Sequence, residues 1–372
     1  MTRARLSSAR RVVVKVGTSL LAPPQGGIHA RRFFDLASEV VALMNERRQV
    51  MLVSSGAVGL GSRKLGLRKR PVAIPEKQAA AAVGQIDLCR RYERAFARHG
   101  RHVAQILLTH AGLADRERFL NVRHTLNSLL ERGVVPIINE NDSVSTEELR
   151  FGDNDLLSAL VVNTCEAELL ILLSHVDGLH DRSPDLPQAA RIPEVKELSP
   201  EVMELASSDT SDLGTGGMRS KLQAARSASQ FGVPTVIADG RRRQVLTRIL
   251  AGEDIGTLIH AATRKLSSRK HWIAFSLKPR GTLYLDGGAV RALREKGRSL
   301  LPIGVVSARG KFGVGDLVRC VSESGEEVAR GLISYDTKEV ELIKGQRSSR
   351  ILKLLGYTKG DEIIHRDDLV LL

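Results

Sequence analysis

Aromatic residues are scarce in this chain: one Trp, four Tyr and eight Phe, 3% of 372 residues. With so few rings, an aromatic stacking platform for single-stranded bases is hard to assemble. Cysteine is scarcer still. Cys89, Cys165 and Cys320 have no metal-ligand spacing and sit in apolar or helical surroundings, so they read as buried free thiols in a reducing cytosol. No apolar run is long enough to cross a bilayer. The N-terminus is basic, but the apolar run after it is broken at once by Lys15 and Gly17, which leaves no signal-peptide core. A soluble, cytosolic protein is expected, without long repeats or low-complexity segments.

The length is too great for one ordinary core, so two domains are the natural arrangement. Lys and Arg number 56 against 42 Asp and Glu, a net charge of +14. Divided after Thr263, the first part has 35 basic and 29 acidic residues (+6), the shorter second part 21 and 13 (+8). The second part is the more basic per residue. That favours anionic partners such as substrate phosphates or RNA, though an arginine-rich proteome accounts for the charge equally well.

The centre of organisation is Ile138-Asn139-Glu140-Asn141-Asp142-Ser143, continuing to Gly152-Asp153-Asn154-Asp155. A β-branched run, Val134 to Ile138, precedes it as a buried strand. Leu156 to Val162 follows as a helix, with Asn154 or Asp155 placed to cap its first turn. Two acidic-amide clusters bracketing one loop are poor core material and suit an ammonium group, a metal or a set of lysines.

Other strand ends carry complementary chemistry. Val12 to Val16 runs into Gly17-Thr18-Ser19, and Lys15 at the end of a buried strand needs an anion unless it snorkels to solvent. The glycine beside it leaves room for a ligand and favours a phosphate-facing lysine. Val50 to Val53 ends in Ser54-Ser55-Gly56-Ala57, a strand, a Gly/Ser turn and a helix start. Asp212 to Lys221 brings three glycines and a threonine into a helix from Met218 to Gln230, with Lys221 in the first turn. A lysine is misplaced there unless an anion compensates. The stretch does not match the Gly-x-x-x-x-Gly-Lys-Ser/Thr phosphate loop. Further helices are expected over Phe33–Gln49, Lys77–Arg98 and Asp115–Glu131, and a surface helix from Arg241-Arg242-Arg243. Strands alternating with helices give an α/β fold, an open, mainly parallel sheet sandwiched by helices, over residues 1–263. After a basic connector, residues 271–372 read as short strands with glycine turns, Gly287-Gly288-Ala289 among them, forming a small β-rich barrel with one or two helices.

In combination, Val13 to Ser19, Ser54 to Ala57, Asn139 to Asp142, Gly152 to Asp155, and Gly214 to Lys221 resemble, in order and spacing, the motifs of bacterial glutamate 5-kinases of the amino acid kinase family. Asp115 to Asn121 and Ser299 to Gly304 match as well, and the C-terminal part resembles the PUA module. The resemblance implies phosphoryl transfer from ATP, with Mg2+, to the side-chain carboxylate of L-glutamate, the first step of proline biosynthesis. It implies inhibition by proline, a homo-oligomer (dimer or tetramer), and RNA as a candidate partner of the PUA module. Lys15 and Lys221 are expected on the transferring phosphoryl group, with Asp153 between them. Ser55, Gly56, Asp142 and Asn154 are expected at glutamate, and Ser174, His175 and Thr215, Gly216, Gly217, Met218, Arg219, Ser220, Lys221 at the nucleotide. The family usually has an aspartate where this chain has His175, with Asp177 a candidate substitute. No protein metal ligands are expected. The rivals are an acid kinase acting on another acceptor, and an RNA-binding protein with the kinase unit as scaffold.

Overall fold

A computed structural model describes residues 3–21, 29–67, 69, 71–144, 154–184, 186–206, 217–262 and 279–372. The chain divides into two compact units, Met1–Lys265 and Leu266–Leu372.

The first unit is an eight-stranded sheet of β1 (Arg11–Val16), β2 (Gln49–Ser54), β3 (Val103–Leu108), β4 (Val135–Glu140), β5 (Leu169–Ser174), β6 (Glu194–Val195), β7 (Thr235–Asp239) and β8 (Thr257–Ile259). Their order is β3-β4-β2-β1-β5-β7-β8-β6, parallel throughout except for the β7–β8 pair. The helices are α1 (Thr18–Leu21), α2 (Ala30–Asn45), α3 (Ala57–Lys64), α4 (Ile74–Ala97), α5 (His110–Ala114), α6 (Arg116–Glu131), α7 (Asn154–Thr164), α8 (Pro200–Glu204), α9 (Met218–Gln230) and α10 (Val245–Leu250).

β1 lies mid-sheet, and its two faces follow the period of two that a strand imposes. Val12, Val14 and Val16 join one core cluster with Phe33, Leu36, Val40 and Leu246 of α2 and α10. Val13 and Lys15 point to the opposite face. α7 packs against β1, β2, β5 and α9. Its residues are buried almost all round, as a helix between sheet and second helix must be. α3 and α4 meet through small residues, because a methyl group on Gly61 would overlap the Ala80 carbonyl and one on Gly84 the Ala57 carbonyl. This close approach fixes the start of α3, directly after Ser55 and Gly56.

Two helix expectations are corrected. Arg241, Arg242 and Arg243 do not open a helix; they form a turn leading to Gln244 at φ 53°, and α10 starts at Val245 with Val245, Leu246, Ile249 and Leu250 buried. Asp155 is no cap either, since α7 already begins at Asn154.

The second unit has a five-stranded sheet, β9 (Gly281–Leu285), β10 (Val305–Gly310), β11 (Leu317–Ser322), β12 (Glu327–Leu332) and β13 (Leu369–Leu371), in the order β10-β9-β11-β12-β13. The β9–β11 pair is parallel and the rest antiparallel. Among the described residues, three helices accompany it: α11 (Gly287–Lys296), α12 (Thr337–Ile343) and α13 (Ile351–Leu355). Gly287-Gly288-Ala289 thus opens a helix rather than a strand turn. Asp286 caps it, accepting from the Ala289 amide at 2.6 Å, and that bond offsets the low helix propensity of the glycines. Trp272 and Phe275 lie outside the described residues. Among those described, no helix is long and apolar enough to cross a membrane. All three cysteines are free, and burial pushes the thiols of Cys165 and Cys320 up to about 12.

Candidate active site

The sheet order lays out the site. β4, β2, β1, β5 and β7 are consecutive and parallel, so their carboxyl ends share one edge, where open α/β sheets bind ligands. Along that edge stand Asn139 to Asp142, then Ser54 and Ser55, then Lys15 near the end of β1, then Ser174, then Asp239.

Lys15 and Lys221 converge on one carboxylate, that of Asp155. Lys15 Nζ lies 2.6 Å from Asp155 Oδ1, and Lys221 Nζ lies 3.1 Å from Oδ2. Ser220 Oγ donates to Oδ2 at 2.7 Å and to the Gly217 carbonyl at 2.9 Å. Both lysines are 4% exposed and Asp155 is fully buried. Burial alone would raise the Asp155 pKa, but the two ammonium groups and the Ser220 hydroxyl overcome it and hold it down at about 2. Here is the anion that Lys221 requires in the first turn of α9. Asp153, expected between the lysines, lies outside the described residues. Asp155 sits in the first turn of α7, on the side facing β1 and α9, and its carboxylate points into the gap between the lysines.

Towards β4, the Asn154 amide donates to Ser55 Oγ (2.9 Å), the Ser54 carbonyl (3.1 Å) and Asn139 Oδ1 (2.9 Å). Asn139 in turn donates to Gln85 Oε1 of α4 at 2.8 Å. In the sequence Asn139 stands out only as part of its motif and Gln85 not at all; the bonded partners lie 15 and 54 residues apart, so no local pattern reveals them. Asn154 Oδ1 is buried without a hydrogen-bond partner among the described residues, an acceptor turned into the site. Gly56 adopts φ 110° at the N-cap of α3, a conformation that glycine takes without strain. Asp142 lines a cleft of about 200 Å³ with Gln85, Leu107, Glu140 and Asn141 rather than touching Ser55 or Asn154. Burial, and then the charge of Glu140, raise its pKa to about 7. A buried pair of carboxylates is a receptor for a cation.

On the other side, Ser174 is buried at the end of β5, and the His175 carbonyl accepts from Arg241 Nη2 at 2.7 Å. Asp177 is engaged with His180 (3.2 Å) and Arg242 (3.9 Å). Gly217 is the N-cap of α9, Met218 is buried and Arg219 exposed. Thr215 and Gly216 lie outside the described residues.

Comparison with known proteins gives the family. The family model for the amino acid kinase family matches residues 10–239, and that for the PUA domain residues 281–355. A protein of Nitrosococcus oceani named glutamate 5-kinase is 48% identical over 371 residues, 100% of this chain and 99% of its own length. One of Geobacter sulfurreducens with the same name is 48% identical over 368 residues, 99% of each. This chain belongs to the glutamate 5-kinase family. It is therefore a kinase, built from an amino acid kinase unit and a PUA unit. Among solved structures, a Giardia carbamate kinase aligns with a TM-score of 0.50 at 15% identity, covering 68% of this chain and 99% of that one. At that identity the likeness concerns the fold alone.

Proposed function

We propose that the chain transfers the γ-phosphoryl group of ATP to the side-chain carboxylate of L-glutamate, giving L-glutamyl 5-phosphate and ADP. The observation that carries this reading is the Lys15–Asp155–Lys221 bridge, placed between an ammonium-binding side on β2 and β4 and a nucleotide side on β5 and β7. A carboxylate is already a nucleophile and needs no general base. The barrier is the mutual repulsion of two anions and their misalignment, which a pair of fixed ammonium groups removes. As a glutamate oxygen bonds to the γ-phosphorus, the bond to the β-phosphate bridging oxygen breaks. Lys15 and Lys221 then face the charge that develops on the transferring group, while Asp155 and Ser220 keep both lysines in register. Asp142 and Glu140 suit the α-ammonium group of glutamate. Asn154, Ser55 and the backbone at Gly56 suit its carboxylates.

Mg2+ fits best as a companion of ATP. Asp155 is taken up by two lysines and a serine, and among the described residues no group of three His, Cys, Asp or Glu side chains could hold an ion. Proline presents the same α-ammonium and α-carboxylate without an acceptor carboxylate, so it is expected to compete with glutamate as a feedback inhibitor of proline synthesis. Self-association into dimers or tetramers is expected by family likeness, and RNA is the candidate ligand of the basic PUA unit.

The test is ATP turnover with a panel of acids, trapping the acyl phosphate as a hydroxamate. Hydroxamate with glutamate, and little with aspartate, N-acetylglutamate or carbamate, supports the assignment. Turnover only with another acid overturns the substrate.

A further inference from the structure

Arg241 follows β7 and is ordered to a degree unusual for an exposed side chain. Its own amide donates to Asp239 Oδ1 at 2.8 Å, and Nε donates to Oδ1 and Oδ2 at 2.9 and 3.1 Å. Nη2 donates to Asp239 Oδ2 at 2.9 Å and to the His175 carbonyl at 2.7 Å. The Gly240 amide donates to the Ser174 carbonyl at 2.8 Å, which ties this turn to the end of β5. Nη1 takes no part in these bonds, and the side chain remains 64% exposed. A surface arginine normally keeps rotamer entropy that a ligand contact must overcome. Here the rotamer is settled beforehand by Asp239 and the His175 backbone, and the guanidinium is left facing solvent. A fold that only needed to close the β5–β7 turn could do so through the Gly240 amide. It would not need a side chain fixed in place yet unburied.

The position supplies the ligand. β1, β5 and β7 are neighbours, and adjacent strands lie about 4.8 Å apart, so the turn is on the order of 10 Å across the sheet from the strand of Lys15. If the transferring phosphoryl group lies between Lys15 and Lys221, with glutamate towards β2 and β4, the remainder of the nucleotide runs past Ser174 towards β7. We propose that Arg241 binds the nucleoside half of ATP, its guanidinium plane lying against the purine base, with Asp239 as the positioning residue that holds it. The inference rests on the kinase reading given above and adds to it a base-recognising residue.

The test uses the full chain as wild type, Arg241→Ala, Asp239→Asn and the double variant, with KM for ATP and for glutamate and kcat measured separately. Arg241→Ala should raise KM for ATP about tenfold, move KM for glutamate and kcat less than twofold, and narrow the preference for ATP over CTP. Asp239→Asn should shift KM for ATP in the same direction, and the double variant should be no worse than Arg241→Ala. An Arg241→Ala enzyme with KM for ATP within twofold of wild type overturns the proposal. If wild type makes no acyl phosphate from glutamate, the reaction assignment falls, and calorimetric titration with MgATP decides the role of Arg241. There, tenfold weaker binding by Arg241→Ala supports it, and equal binding overturns it.

Discussion

Replacing Asp155 by asparagine keeps the shape of the side chain and removes a charge that Lys15 and Lys221 share. The lowering of the Asp155 pKa from an ordinary 3.8 to about 2, achieved against burial, corresponds to a preference for the ionised form of about 2–3 kcal/mol. Loss of the charge also leaves two ammonium groups, each 4% exposed, without this counter-ion. Breaking a buried ion pair by removing one partner typically costs about 3–5 kcal/mol. For a unit of this size each kcal/mol lowers Tm by roughly 2–4 °C, so a fall of about 6–20 °C is expected. The sign with pH follows from a depressed folded-state pKa. The stabilisation is present above the unfolded value of 3.8 and lost as pH falls through about 2, so the gap to wild type should stay constant between about pH 5 and 8. In catalysis, untethered lysines should lower kcat by about 100-fold or more, as a misplacement of about 1 Å does. KM for ATP should not rise, because the phosphates replace the lost anion. Thermal melts with and without MgATP, with hydroxamate kinetics alongside, read all three quantities. A variant melting within about 2 °C of wild type and turning over within about fivefold of it would refute the reasoning behind these magnitudes.

Asp142 offers a second test. Its pKa is raised to about 7 by burial and Glu140, so in the ligand-free protein its stabilising protonated form is fully present below the unfolded value and is lost as pH rises through about 7. Only the ionised form suits an ammonium group, so KM for glutamate should fall about tenfold in all as pH rises from about 6 to 8, most of it below about 7. Asp142→Asn should flatten that profile, raise KM for glutamate and increase Tm at pH 8; an unchanged profile would show that Asp142 does not meet the ammonium group. Gly84→Ala drives a methyl group against the Ala57 carbonyl, an overpacking worth about 1–3 kcal/mol, and should displace α3 together with Ser55. A lower Tm with raised KM for glutamate and unchanged KM for ATP is expected, measured by melting and two-substrate kinetics.

Much of this architecture is legible in the residues. The β-branched runs Val12 to Val16 and Val134 to Ile138 give strands within two residues of those observed, and Met218 to Gln230 is the observed α9. Lys15 and Lys221 stand out because each is electrostatically out of place on its element, and Asp155 serves both. The identity of that anion is less legible. Gly152-Asp153-Asn154-Asp155 holds two aspartates, and residue types alone do not show that α7 starts at Asn154 and so turns Asp155 inward. The Asn154–Asn139–Gln85 chain and the Asp239–Arg241 clasp depend on the order of strands in the sheet, which side-chain patterning does not encode. Three arginines suggested a helical surface because arginine is a good helix former, yet the turn after β7 prevails. At Gly287 the poor propensity of glycine obscured the capping aspartate before it.

Lys15 and Lys221, held by Asp155, are proposed to align glutamate and ATP for direct transfer. The most direct measurement is glutamate-dependent hydroxamate formation by wild type and Lys221→Ala, each checked by its melting curve. Wild type should form hydroxamate in step with ADP, and a folded Lys221→Ala protein should lose about 100-fold or more of that rate. A folded Lys221→Ala protein that still forms hydroxamate at close to the wild-type rate would contradict that alignment.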